Sequence, residues 1–126
     1  MDAAEIAARE AGNALYTAEV NPAGEGPLCT VRVRFKIPGT TDYREQAWDV
    51  PNNGNALLLE QSSPAMRLAA SASAFAEWLV ASPFAGEITP DRVLGLLSGV
   101  PEIYGADARP KKLEWMIRQA KNLQGK

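Results

Sequence analysis

Two kinds of apolar spacing divide the chain. Over residues 28–37 apolar and polar positions alternate strictly. Cys29, Val31, Val33, Phe35 and Ile37 share one side, and Thr30, Arg32, Arg34 and Lys36 share the other. This is the pattern of an antiparallel strand with one covered and one wet face. Pro38-Gly39 supplies a turn, because Pro fixes φ and Gly accepts a positive one. Residues 43–50 then return as a second strand. Pairing Lys36 with Glu45 and Arg32 with Asp49 joins opposite charges on the wet face. The same register sets Val33 against Trp48 and Val31 against Val50 on the core face, whereas a slip of one residue sets Lys36 against Arg44. Upstream, residues 13–20 alternate well enough to predict a further strand, and the Gly- and Pro-rich residues 21–27 predict a loop. Residues 2–11 predict a short helix, with Asp2 and Glu5 at capping-box spacing.

Beyond residue 61 the period changes to that of helices. Residues 51–61 connect the two halves, and Leu57, Leu58 and Leu59 within them fit either a short buried strand or a packed anchor. Residues 62–84 form the longest apolar, small-residue-rich run. Ser62 or Ser63 suits its N-cap, Pro64 its first turn, and Ser82-Pro83 its end. Leu68, Ala72, Phe75 and Leu79 make its stripe, widened by Ala65, Ala69, Ala76 and Val80. Thr89-Pro90-Asp91 starts a second helix with Val93, Leu94 and Leu97 inward, and Ser98-Gly99 stops it. A last helix begins within residues 107–110, with Leu113, Met116, Ile117, Ala120 and Leu123 as the clearest amphipathic stripe in the chain. The expected fold is α+β, one domain over residues 1–126. A small antiparallel sheet of about three strands, within residues 13–50, packs with about three helices, within residues 62–123. The Leu68, Ala72, Phe75, Leu79 stripe is expected to lie buried between the Val31, Val33, Phe35 sheet face and the last helix.

Composition narrows the chemistry more than the fold. The chain has 126 residues, 46% hydrophobic and 22% charged, ordinary for one globular domain. Its net charge of −2 gives no bulk electrostatic case for nucleic acid or for an anionic membrane. No apolar run reaches the length of a membrane span, so no membrane insertion of this segment is expected. There is no histidine and only one cysteine, Cys29. That removes the commonest general base, the commonest transition-metal ligand and any Cys-based zinc cluster. Nothing in the residues assigns a compartment.

The candidate constellations are few. Arg32, Arg34 and Lys36, with nearby Arg44, form a basic strand face suited to an anion. The competing reading is a solvated sheet face neutralised across the strands by Glu45 and Asp49. Ser71 and Ser73 lack the carboxylate that an Asp-x-Ser-x-Ser metal motif requires, since residue 69 is alanine. Cys29 has inward parity and no histidine to activate it, so it reads as a buried thiol. Of Trp48, Trp78 and Trp115, the two helical ones sit partly off their stripes and are candidates for a partner surface. No catalytic residue, no metal site and no cofactor is assigned, and no phosphate-binding, dinucleotide or nucleophile-elbow motif is present.

Several stretches together resemble the C-terminal domain of unknown function of bacterial YfbK-type proteins, which carry a von Willebrand factor type A domain before it. Asp2-Ala3-Ala4-Glu5-Ile6 through Ala14-Leu15-Tyr16 is similar to the family's Asp-Ala-Gly-Glu-Ile … Ala-Leu-Tyr-Glu. Val31-Arg32-Val33-Arg34-Phe35-Lys36-Ile37-Pro38 resembles its Val-Arg-Tyr-Lys-x-Pro strand. Met66-Arg67-Leu68-Ala69-Ala70-Ser71-Ala72-Ser73-Ala74-Phe75 resembles its Phe-Arg-Phe-Ala-Ala-Ala-Val-Ala-Ala-Phe helix. Ser82-Pro83-Phe84 with Gly86 resembles the Ser-x-Tyr-x-Gly that follows, and Leu113-Glu114-Trp115 … Ala120-Lys121-Asn122-Leu123 is similar to its ending, Glu-Phe … Leu-Val-x-x-Ala-x-x-Leu. The chain departs from the family at residues 7–11, where a Gly-rich, His-containing turn is expected, and at residues 107–110. The resemblance implies a C-terminal domain excised from a longer protein, and it carries over no catalytic residue. The leading expectation is therefore a non-catalytic accessory domain whose partner is the adjacent type A domain or another protein. Self-association is a further expectation, through an exposed sheet edge. The alternative is an anion- or ligand-binding module using Arg32, Arg34, Lys36 and Arg44, and a hydrolase ranks third.

Overall fold

The computed structural model describes residues 12–21, 23–52, 54 and 57–124. The helix expected over residues 2–11 lies outside them. The fold is α+β, with a two-stranded antiparallel sheet followed by helices. Two compact units divide the chain: Thr17–Ala56 holds the sheet, and the residues from Leu57 onward hold the helices.

The sheet is a hairpin of β1 (Cys29–Lys36) and β2 (Tyr43–Val50). Alternation predicts both strands correctly, but the expected third strand over residues 13–20 does not form; residues 12–20 run exposed and irregular. Its larger side chains, Leu15, Tyr16 and Val20, stay exposed. The register also differs from the expected one. Lys36 stands opposite Tyr43, Arg34 opposite Glu45, Val31 opposite Trp48, Thr30 opposite Asp49 and Cys29 opposite Val50.

Turn chemistry decides this register. Thr40 N–H donates to the Ile37 carbonyl at 3.1 Å, and Ile37 N–H donates to the Asp42 carbonyl at 3.0 Å. Gly39 takes φ 78°, as a Pro-Gly turn requires of its second central residue. The loop therefore spans residues 38–41, whereas the Lys36–Glu45 pairing needs a loop through residue 43. Exposed cross-strand ion pairs are worth only about 0–1 kcal/mol, too little to open a hydrogen-bonded turn. The displacement is two residues, so each side chain keeps its expected face.

The helical unit opens with a 3-10 turn, Leu59–Gln61, preceded by exposed Leu57 and Leu58. Neither a buried strand nor a buried anchor forms there. α1 (Pro64–Leu79) begins with Pro64 at its first position, and Ser63 Oγ accepts from Met66 N–H at 3.3 Å. It ends earlier than the Ser82-Pro83 signal predicts. Ser82 N–H donates to the Glu77 carbonyl and Ala81 N–H to the Trp78 carbonyl, the paired bonds of a Schellman cap. Ala81 occupies the left-handed position of that cap at φ 49°, where glycine is the usual residue.

α2 (Pro90–Leu97) is capped by Thr89, whose Oγ1 accepts from Arg92 N–H at 3.2 Å. Gly99, at φ 73°, turns the chain into a one-turn helix, α3 (Val100–Ile103), which the sequence pattern does not predict. α4 (Ala108–Gln124) follows Asp107, whose Oδ1 accepts from Arg109 N–H at 2.9 Å.

Phe75, Val93, Leu97, Val100 and Ile117 form the core of this unit, each no more than 4% exposed. Leu68, Trp78, Leu113 and Ala120 pack partly buried against it. The buried side of α1 is thus rotated from the expected stripe. Phe75 is buried and Leu68 half-buried, but Ala72 and Leu79 are exposed, and Ser71 is fully buried in their place. A scan for apolar residues passes over Ser71, yet a small side chain suits a tight helix contact whatever its polarity. On α4, Leu113, Ile117 and Ala120 turn inward as expected, whereas Met116 and Leu123 are exposed. Arg67 ties α1 to α2 by donating from Nη2 to the Ser98 carbonyl at 3.2 Å, satisfying a carbonyl at a helix end.

Candidate functional site

Every residue of β1 and β2 is exposed. One face of the hairpin carries Cys29, Val31, Val33 and Phe35 from β1 and Val50, Trp48, Gln46 and Arg44 opposite them from β2. Val31 and Trp48 face each other across the strands, as do Cys29 and Val50. Val31 and Val33 are each 45% exposed and Trp48 is 51% exposed. The sequence pattern assigns these residues to a core, and Cys29 to a buried thiol; the structure leaves them open, Cys29 included. The alternation is the same whether or not anything covers the face, so the pattern alone cannot separate the two.

The opposite face holds Thr30, Arg32, Arg34 and Lys36 with Asp49, Ala47, Glu45 and Tyr43. Much of its charge is answered locally. Thr30 Oγ1 donates to Asp49 Oδ1 at 2.7 Å, and Arg32 Nη1 meets Glu45 Oε1 at 3.4 Å. The Arg34 guanidinium lies over the Tyr43 ring, 4.8 Å from its centroid, a cation–π contact. Arg44, grouped with this stripe in the sequence, stands opposite Phe35 on the apolar face. The structure therefore brings Arg32, Arg34 and Lys36 together and sets Arg44 apart.

The two helical tryptophans have different surroundings. Trp78 is half-buried and stacks on Phe75, with ring centroids 5.9 Å apart and planes at 14°, so it belongs to the packing of α1. Trp115 is 59% exposed on α4. Ser71 Oγ and Arg67 Nε are buried without a hydrogen-bond partner. Among the carboxylates of the described residues, Asp107 shows a marked departure. Hydrogen bonds from the Arg109 side chain and backbone, with its charge, hold its pKa down at about 2, against 3.8 for an unperturbed aspartate. This is an exposed ion pair at the start of α4. Among the described residues no group of three His, Cys, Asp or Glu converges as a metal site would require, and no helix is long and apolar enough to cross a membrane.

No curated protein and no solved structure matches the chain. The family described as the C-terminal region of the uncharacterized protein YfbK matches residues 1–123. The chain belongs to that YfbK C-terminal family, whose molecular role is unknown.

Proposed function

We propose that this domain is a non-catalytic protein-binding module and that it binds through the apolar face of the hairpin. The supporting observation is the open Val31–Trp48 and Cys29–Val50 pairs, continued by Val33 and Phe35 on the same face. Burying such side chains contributes roughly 25 cal/mol per Å² of apolar surface. A two-stranded hairpin without a covering layer is marginally stable in water. A partner layer laid on this face supplies that cover and gives the domain a reason to bind. The partner we propose is the von Willebrand factor type A domain that YfbK-type proteins carry before this region. The lack of histidine favours a binding role over general acid–base catalysis near neutral pH.

The test is calorimetric titration of the purified type A domain of the parent protein into this chain. Saturable binding is expected, weakened at least about tenfold (about 1.4 kcal/mol) by Trp48→Asp. No heat of binding, or an affinity that Trp48→Asp leaves unchanged, overturns the reading. Sedimentation of this chain alone distinguishes a second copy as the occupant, through a dimer that Trp48→Asp dissolves.

A further inference from the structure

α4 concentrates positive charge. It holds five of the chain's thirteen Lys and Arg residues but one of its fifteen Asp and Glu residues. Leu113, Ile117 and Ala120 turn inward to the core. On the far side Lys111, Trp115, Arg118 and Asn122 stand exposed, at the spacing of one row along a helix, and exposed Lys112 lies next to it. Arg109 pairs with Asp107, Arg118 with Glu114, and Lys121 with Asp91. Lys111 and Lys112 have no carboxylate partner among the described residues. The C-terminal end of the row runs into a groove between α2 and α4, lined by Asp91, Leu94, Gly95, Ser98, Arg118 and Lys121. Gly95 leaves open space there, with no atom within 4 Å of where a Cβ would sit.

We infer that this row is a docking surface for an acidic protein segment. Carboxylates of the segment meet Lys111 and Lys112, an apolar side chain lies on Trp115, and the segment continues into the α2–α4 groove. Charge complementarity selects the occupant, because two lysines and an exposed aromatic are left without partners on a helix that is otherwise ion-paired. Trp and Arg are also the residues most enriched where binding energy concentrates. Phosphates of a nucleic acid or an anionic lipid compete for the same two lysines, and titrations with duplex DNA and with vesicles separate them from a protein segment. The surface is in the helical unit, so it stands or falls separately from the hairpin reading.

The probe is a fluorescein-labelled peptide of about ten residues alternating Glu and Leu, long enough at about 3.3 Å per residue to span the row. Its anisotropy is followed on titration with the full chain. The expected result is saturable binding that weakens as salt rises from about 0.05 M to about 0.3 M. Binding is expected to fall at least about tenfold in the Lys111→Glu, Lys112→Glu variant and in Trp115→Ala. Glutamate has nearly the helix propensity of lysine, so circular dichroism of the reversed variant is expected to match that of the parent. The inference is overturned by absent binding, by equal binding of the peptide with Lys in place of Glu, or by an affinity that the reversal leaves unchanged. Equal or tighter binding of duplex DNA or phosphatidylserine vesicles also overturns it, by making the row a phosphate surface.

Discussion

β1 and α2 are the same length and equally apolar, yet they end in opposite environments. Each has eight residues, four of them Cys, Val, Leu or Phe. In α2, Val93, Leu96 and Leu97 are all buried. In β1, Cys29, Val31, Val33 and Phe35 are all exposed. Apolar content does not explain the difference, and neither does regularity, since the alternation of β1 is the cleaner of the two patterns. The difference lies in what each face meets. α1 and α4 pack on the stripe of α2, with Phe75 and Ile117 against Val93 and Leu97. Among the described residues the hairpin gains no third strand, since residues 13–20 do not add one. A periodic apolar pattern thus fixes which side chains of a strand share a face, and a second element decides whether that face becomes a core or stays exposed.

The contrast is broken most directly by one substitution in each environment. Ile117→Ala removes a fully buried side chain and is expected to cost about 2–5 kcal/mol, whereas Val33→Thr keeps a β-branched shape at an exposed position and is expected to cost less than about 0.5 kcal/mol. Urea denaturation followed by circular dichroism measures both. A cost at Val33 as large as that at Ile117 would mean that the hairpin face is covered in solution.

A smaller effect of opposite sign is expected at the end of α1. Ala81→Gly relieves a left-handed residue in a Schellman cap and is expected to stabilise the helical unit by up to about 1 kcal/mol. A lower melting temperature in that variant would show that the cap is not what ends α1.

The smallest effect is electrostatic and confined to the start of α4. The folded pKa of Asp107 is depressed, so its pairing with Arg109 is fully present above the ordinary value of 3.8 and is lost as pH falls toward about 2. Carbon-detected NMR titration is expected to place the Asp107 midpoint at about 2. Arg109→Ala is expected to return it toward 3.8. A wild-type midpoint already at the ordinary value would dissolve the pair.

Much of the fold is legible in the residues. Period-two alternation marks both strands, Pro38-Gly39 marks their turn, and Ser63-Pro64 and Thr89-Pro90 mark two helix starts. These signals are local: a cap, a turn or an alternating face acts within a few residues of itself. The misses share a different cause. Register followed turn hydrogen bonds rather than weak surface ion pairs. Ser71, not Ala72, lies on the buried side of α1, because the rotation of the helix against its neighbours is set by packing and not by its apolar pattern alone. The pattern marks Trp115 as a candidate partner contact but assigns the Val31–Trp48 face to a core, whereas both are exposed.

The sequence by itself therefore determined the two alternating faces of β1, where α1, α2 and α4 begin, which family the chain resembles, and that the chain holds no histidine. The tertiary structure alone decided which faces are covered. It buried Val93, Leu97 and Ile117 together, and it left Val31, Trp48 and Trp115 open. The physical reason is that periodicity is a property of one segment, whereas burial belongs to at least two segments and depends on their both being present.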